Sequence, residues 1–76
     1  MTFEQLTKEL RARYDTADKR EVVLAIHLFG IQFADALEGH SINAVAEAAT
    51  GHGSYGTEIR KGMRLSKHVV LKSQLG

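Results

Sequence analysis

The chain has 76 residues, of which 43% are hydrophobic and 25% are charged, and its formal net charge is +1. This composition is typical of one small globular domain and unlike that of a disordered chain. There is no cysteine, which excludes disulfides and thiolate metal sites.

The hydropathy pattern predicts a protein outside the membrane. The longest apolar block, Val22 to Ile31, is too short to cross a bilayer and is interrupted by His27. The first ten residues are polar and amphipathic, without the apolar run of a signal peptide. We therefore expect a cytoplasmic protein that forms a single domain over residues 1–76.

The near-zero net charge hides an uneven distribution. Residues 1–53 contain five Lys or Arg and eight Asp or Glu, whereas residues 54–76 contain five Lys or Arg and only Glu58. A local basic patch can attract a polyanion whatever the total charge, so this segment is a candidate nucleic-acid contact.

The first predicted helix covers about Phe3 to Tyr14. Thr2 followed three residues later by Gln5 is typical of a capping box. Apolar residues then recur at helical spacing: Phe3, Leu6, Leu10 and Tyr14. The polar stretch "DTAD", residues 15–18, ends the helix.

The segment from Lys19 to Gly39 is the most apolar part of the chain. Read as a helix it is hydrophobic nearly all round, which indicates a central element covered on several sides and bent or broken near Gly30. Its β-branched residues are also compatible with a strand over Val22 to Leu28, because periodicity does not distinguish a helix from a strand in short apolar runs.

Two further helices and a strand are predicted after Gly39. Ser41 caps "INAVAEAAT", Gly51 is the helix exit, and Ser54 caps a helix that continues to about Ser66. The run "HVVLK", residues 68–72, has strand-like composition. The predicted core comprises the apolar faces of these elements: Phe3, Leu6, Leu10, Tyr14, Val22, Val23, Ile26, Phe29, Phe33, Leu37, Ile42, Val45, Ala49, Ile59, Met63 and Val69.

A short Ala-rich helix, a glycine turn and a second helix with exposed cations form the layout of a helix-turn-helix. On the second helix, Tyr55, Ile59 and Met63 are spaced to face the core, and the opposite side presents basic and hydroxyl side chains. The predicted DNA-binding residues lie on that side or in the first turn: Ser54, Tyr55, Gly56, Thr57, Arg60, Lys61, Arg64 and Lys67. For Gly56, contact with a partner and packing against the preceding helix both remain open.

The stretches "AIHLFGIQFADAL" and "SYGTEIRKGMRLSKHVVLK" resemble a family of small, largely uncharacterised bacterial proteins with a helix-turn-helix-like domain. The resemblance covers about Val22 to Lys72 and implies a DNA-binding architecture. Between Ala46 and Ile59 the connection is about three residues longer than the tight turn of repressors. We therefore expect a four-helix variant with a short C-terminal β-strand, an incomplete form of a winged helix.

The sequence gives little support for a metal site or for catalysis. His27, His40, His52 and His68 have no metal-ligand spacing, and His27 is expected to be a buried, hydrogen-bonded group. The serines read as helix caps and no nucleophile or phosphate-loop motif occurs, so we expect no enzyme, no cofactor and no small-molecule substrate.

Two functions follow from this reading. The first is a DNA-binding transcriptional regulator or accessory factor that contacts double-stranded DNA through residues 54–66. The second is a protein-interaction module without nucleic acid, which dimerises through its apolar segment and its C-terminal strand. A homodimer is expected in either case.

Overall fold

The computed structural model describes residues 1–72, which form a helical fold. The helices are α1 Phe3–Thr16, α2 Val22–Gln32, α3 Ala34–Leu37, α4 Ile42–Thr50 and α5 Gly56–Leu65. Two 3₁₀ turns, Lys19–Glu21 and Gly53–Tyr55, precede α2 and α5. The mainly helical prediction is confirmed, although the described residues form five helices instead of four.

Helix α1 begins where the sequence predicts. The Gln5 backbone N–H donates to Thr2 Oγ1 at 3.1 Å, and the Thr2 backbone N–H donates to Gln5 Oε1 at 2.8 Å, which completes the capping box. Leu6 and Leu10 are fully buried. At its outer side, Arg11 Nη2 donates to the carbonyl of Ala48 at 2.8 Å and ties α1 to α4.

The apolar segment is helical, which excludes the strand left open for Val22 to Leu28. Helix α2 passes through Gly30 without a break and ends at Gln32, followed by the C-cap Phe33 with φ −109° and ψ 21°. The Phe33 ring contacts Phe29, with 5.2 Å between centroids, and lies 5.0 Å from the guanidinium carbon of Arg13. The predicted break near Gly30 is therefore displaced by three residues, to Phe33.

Gly30 instead marks the place where α2 and α5 cross. A Cβ on Gly30 would collide with the Ile59 carbonyl oxygen and lie 3.0 Å from the Cα of Gly62. A Cβ on Gly62 would collide with the His27 carbonyl oxygen and lie 2.9 Å from the Cα of Gly30. The two helices thus touch backbone to backbone, and only glycine fits at either position.

The core lies between α1, α2, α4 and α5. Its buried hydrophobic residues are Leu6, Leu10, Ile26, Phe29, Leu37, Ile42, Val45, Ala46, Ala49 and Ile59. Other predicted core residues are partly buried against this cluster: Phe3, Tyr14, Val22, Phe33 and Met63.

Two predictions are wrong, since Val23 and Val69 are each 43% exposed. Val23 lies on the outer side of α2, and Val69 follows the end of α5.

The predicted C-terminal strand does not form in the part of the chain that the structure describes. The backbone N–H groups of His68 and Val69 both donate to the carbonyl of Leu65, at 2.8 and 3.1 Å, and continue the end of α5 as a turn. Within residues 1–72 there is also no second strand with which it could pair. The incomplete winged form is therefore wrong.

Candidate nucleic-acid interface

Helices α4 and α5 and the turn between them build the candidate site. The hydroxyl of Ser41 accepts from the backbone N–H of Ala44 at 3.3 Å and caps α4, as predicted. Gly51 ends α4 in the left-handed region, with φ 80° and ψ 4°, and its N–H donates to the Glu47 carbonyl. Such a conformation favours glycine, and the predicted helix exit is confirmed.

The connection between these helices is longer than a tight turn. Five residues separate Thr50 from Gly56, and three of them form the 3₁₀ turn Gly53–Tyr55. The Gly53 N–H donates to Glu47 Oε2 at 2.8 Å and fixes the turn to α4. Because α5 begins at Gly56, Ser54 lies inside the 3₁₀ turn, and its predicted role as N-cap is wrong.

The inner face of α5 agrees with the prediction. Ile59 is fully buried, and Tyr55 and Met63 are partly buried against the core. The ring of Tyr55 also meets the ring of Tyr14 edge to face, with 6.0 Å between centroids. These contacts fix the rotation of α5 about its axis and so determine which residues face outwards.

Gly56 is one of the buried residues of α5. A Cβ at this position would collide with the side-chain oxygen of Asn43 and lie 3.3 Å from the Cα of that residue. The sequence left two explanations for Gly56 open, and the structure favours close packing of α5 against α4.

The outer face of α5 and its C-terminal extension carry the positive charge. The predicted contact residues that are exposed there are Thr57, Arg60, Lys61, Arg64 and Lys67, and Ser54 is exposed in the preceding turn. Among residues 1–72, no carboxylate forms an ion pair with Arg60, Arg64 or Lys67. These three cations line an open cleft together with Met63 and one acidic residue, Glu38.

Glu58, the single acid of the basic segment, is bound within the protein. Its Oε1 lies 2.6 Å from His27 Nε2 on α2, and its Oε2 lies 3.5 Å from Lys61 Nζ. The hydrogen bond with His27 is the main reason why the pKa of Glu58 is lower than usual, although partial burial opposes the shift. The carboxylate therefore joins α2 to α5 and offsets the charge of Lys61.

This pairing was not predicted from the sequence, which indicated only that His27 would be hydrogen-bonded. His27 and Glu58 are 31 positions apart and belong to no spacing motif. Only the crossing of α2 and α5 brings them together.

Within residues 1–72, the polar groups outside this surface form no metal site. Among residues 1–72, no three His, Asp or Glu side chains lie close enough to hold a metal ion. His40 Nε2 lies 3.1 Å from the Met1 carbonyl oxygen at the start of the chain.

No helix in the described part of the chain has both the length and the apolar character needed to cross a membrane.

Comparison with known proteins identifies one family. A family model described as an HTH-like domain matches residues 2–72. Neither a curated protein nor a solved structure matches the chain.

Proposed function

Because the chain belongs to the family of HTH-like domains, we propose that it is a DNA-binding protein, a small transcriptional regulator or an accessory factor. Helix α5 acts as the recognition helix, and the ligand is double-stranded DNA. A bacterial setting is part of the proposal and comes from the sequence resemblance, and a cytoplasmic setting is proposed from the hydropathy pattern. The protein acts without a cofactor and catalyses no reaction.

One observation carries this proposal: the three cations of α5 and its extension that have no acidic partner in the described chain. Arg60, Arg64 and Lys67 are spaced by four and three residues, so they lie along one side of the helix. Their cleft is open to solvent, and the single acid of α5 is held by His27 instead. A stripe of unpaired cations on a helix is suited to successive phosphates of a duplex.

The exposed residues divide into two proposed roles. Arg60, Arg64 and Lys67 contact phosphates and position the helix, whereas Thr57 and Lys61 read base edges. Ser54 and the hydroxyl of Tyr55 supply further contacts at the start of α5. Gly56 is buried where α5 packs closely against Asn43 of α4, and we assign it packing instead of a direct contact with DNA.

A salt titration tests the proposal. We expect binding to a random duplex, followed by fluorescence anisotropy, to weaken with a log–log slope of about −2.7 for each bound chain, from ~0.9 for each of three phosphates. Lys67→Ala should reduce that slope by about 0.9 on every duplex. Thr57→Val should instead change the preference among duplexes. The matched control is Lys8→Ala, an exposed lysine on α1.

Two results would contradict the proposal. One is the absence of salt-sensitive binding to any duplex at about 50 mM salt, where electrostatic contacts are strong. The other is a loss in Lys8→Ala as large as that in Lys67→Ala, since binding would then follow total charge and not the α5 surface.

We further propose a homodimer as the binding form, because a recognition helix of ten residues offers one chain few phosphate contacts. A protein-interaction module without nucleic acid is the second candidate. It is favoured by the apolar residues that α2 leaves exposed, Val23, Leu24 and Leu28. The same titration separates the two functions.

A further inference from the structure

Helix α2 presents an apolar surface where a solvent-facing helix normally carries charge. Its eleven residues include no Asp, Glu, Lys or Arg. Leu24 is 49% exposed and Leu28, one turn later, is 39% exposed. Single exposed apolar residues are common on proteins, but a sustained uncharged face on the central helix is not. Among residues 1–72, the cover expected from the sequence is therefore absent on this side of α2.

A groove runs along this surface and its two ends differ in charge. Leu24, Ala25, Leu28 and Leu71 form its apolar part. Asp18 and Glu21 line it near the start of α2.

The other end of the groove, near the end of α2, holds a guanidinium group. Arg13 Nη2 donates to Gln32 Oε1 at 3.1 Å, and Arg13 Nη1 donates to Glu9 Oε2 at 2.6 Å. A guanidinium has five N–H donors, so further acceptors can bind to it. The groove thus has carboxylates at one end and, at the other, a guanidinium that is already ion-paired with Glu9, on either side of an apolar centre.

We propose that a second copy of this chain covers the groove, with the two α2 helices antiparallel about a two-fold axis. A two-fold axis perpendicular to α2 reverses the helix direction, so the carboxylate end of one groove meets the guanidinium end of the other. Glu21 then faces Arg13 of the second copy, twice in each dimer. At the centre, Leu24 and Leu28 bury against their equivalents, and the small Ala25 permits close approach of the helices.

The charge pattern is what favours a second copy over an unrelated protein. A groove with opposite charges at its ends is complementary to itself when rotated by 180°, whereas a foreign partner would need the inverse pattern by coincidence. This pairing surface does not depend on DNA binding, so its test contains no DNA. If both proposals hold, one dimer presents two α5 helices to two half-sites.

The first test measures association by sedimentation equilibrium. We expect the wild-type chain to dimerise and Leu28→Lys to weaken dimerisation by about tenfold or more, since a charge would enter the buried centre of the interface. Leu65→Lys is the matched control, because Leu65 on α5 is 44% exposed and lies outside the groove. A wild-type monomer at every concentration, or equal effects of both variants, overturns the proposal.

A charge exchange tests the antiparallel register. Arg13→Glu and Glu21→Arg should each dimerise poorly alone, because like charges then face each other across the axis. An equimolar mixture should form a heterodimer, in which both contacts again join opposite charges. Far-UV circular dichroism confirms that each variant is folded. Failure of two folded variants to associate on mixing overturns the register. If Arg13→Glu does not fold, the comparison of Leu28→Lys with Leu65→Lys decides the proposal.

Discussion

The crossing of α2 and α5 provides the sharpest test of the structure. Replacing Gly30 by Ala adds one methyl group, which would collide with the Ile59 carbonyl and lie 3.0 Å from the Gly62 Cα and 3.1 Å from the Met63 nitrogen. All three atoms are backbone, so no side-chain rotation relieves the contact. The helices must separate, and the packing around Ile59 separates with them.

The magnitude follows from two opposing effects. Overpacking a well-packed interior costs up to about 3 kcal/mol, and rigid backbone neighbours place this site at the upper end. Alanine is about 1 kcal/mol better than glycine inside a helix, which offsets part of the cost. The net loss is about 2 kcal/mol, which lowers the Tm of a domain of this size by about 8–16 °C.

Urea unfolding followed by circular dichroism measures this loss. Gly53→Ala is the matched control, because the nearest atom to its new Cβ would be the flexible Glu47 carboxylate, at 3.4 Å. Its free energy of unfolding should remain within about 0.5 kcal/mol of the wild-type value. If Gly30→Ala is as stable as the wild type, the backbone contact between the two helices does not exist as described.

Two further predictions concern single hydrogen bonds. Thr2→Ala should lower the free energy of unfolding by about 1 kcal/mol in the same assay, because the capping hydroxyl of α1 is lost. Thr2→Ser keeps a hydroxyl at this position and should retain most of the wild-type stability. Glu58 has a lowered pKa in the folded state, so its contribution is present above its ordinary value of 4.5 and is lost as the pH falls through the lower folded value. Wild-type unfolding curves should therefore lose stability below pH 4.5 more steeply than those of Glu58→Gln, and identical pH profiles would show that the bond to His27 contributes nothing.

Short sequence motifs correctly predicted the helix caps and the helix face that depend on neighbouring residues. The capping box at Thr2, the cap at Ser41 and the left-handed Gly51 each depend on a few neighbouring residues, and all three are confirmed. The inner face of α5 also follows from spacing alone, since Ile59 and Met63 recur at helical period on an otherwise polar helix. The exposure of the basic residues follows from the same pattern.

The features that the sequence missed depend on contacts between distant segments. Gly30 resembles a helix breaker, but its role is to meet Gly62 from another helix. The break between α2 and α3 lies at Phe33, a position that no local sequence pattern indicated. The run after Ser66 is rich in β-branched residues, yet a strand needs a partner, and residues 1–72 contain none.

The glycine crossing also has a consequence for the weak forces between α2 and α5. Each glycine faces the carbonyl that lies three residues before the other glycine, Ile59 opposite Gly30 and His27 opposite Gly62. With no Cβ in the way, the Cα hydrogens point at carbonyl oxygens, and such Cα–H···O contacts contribute about 0.5–1 kcal/mol each. The arrangement is reciprocal, so both helices donate and both accept. These main-chain contacts limit how the helices can cross, and substitutions among the surrounding side chains should change the crossing angle little while both glycines remain.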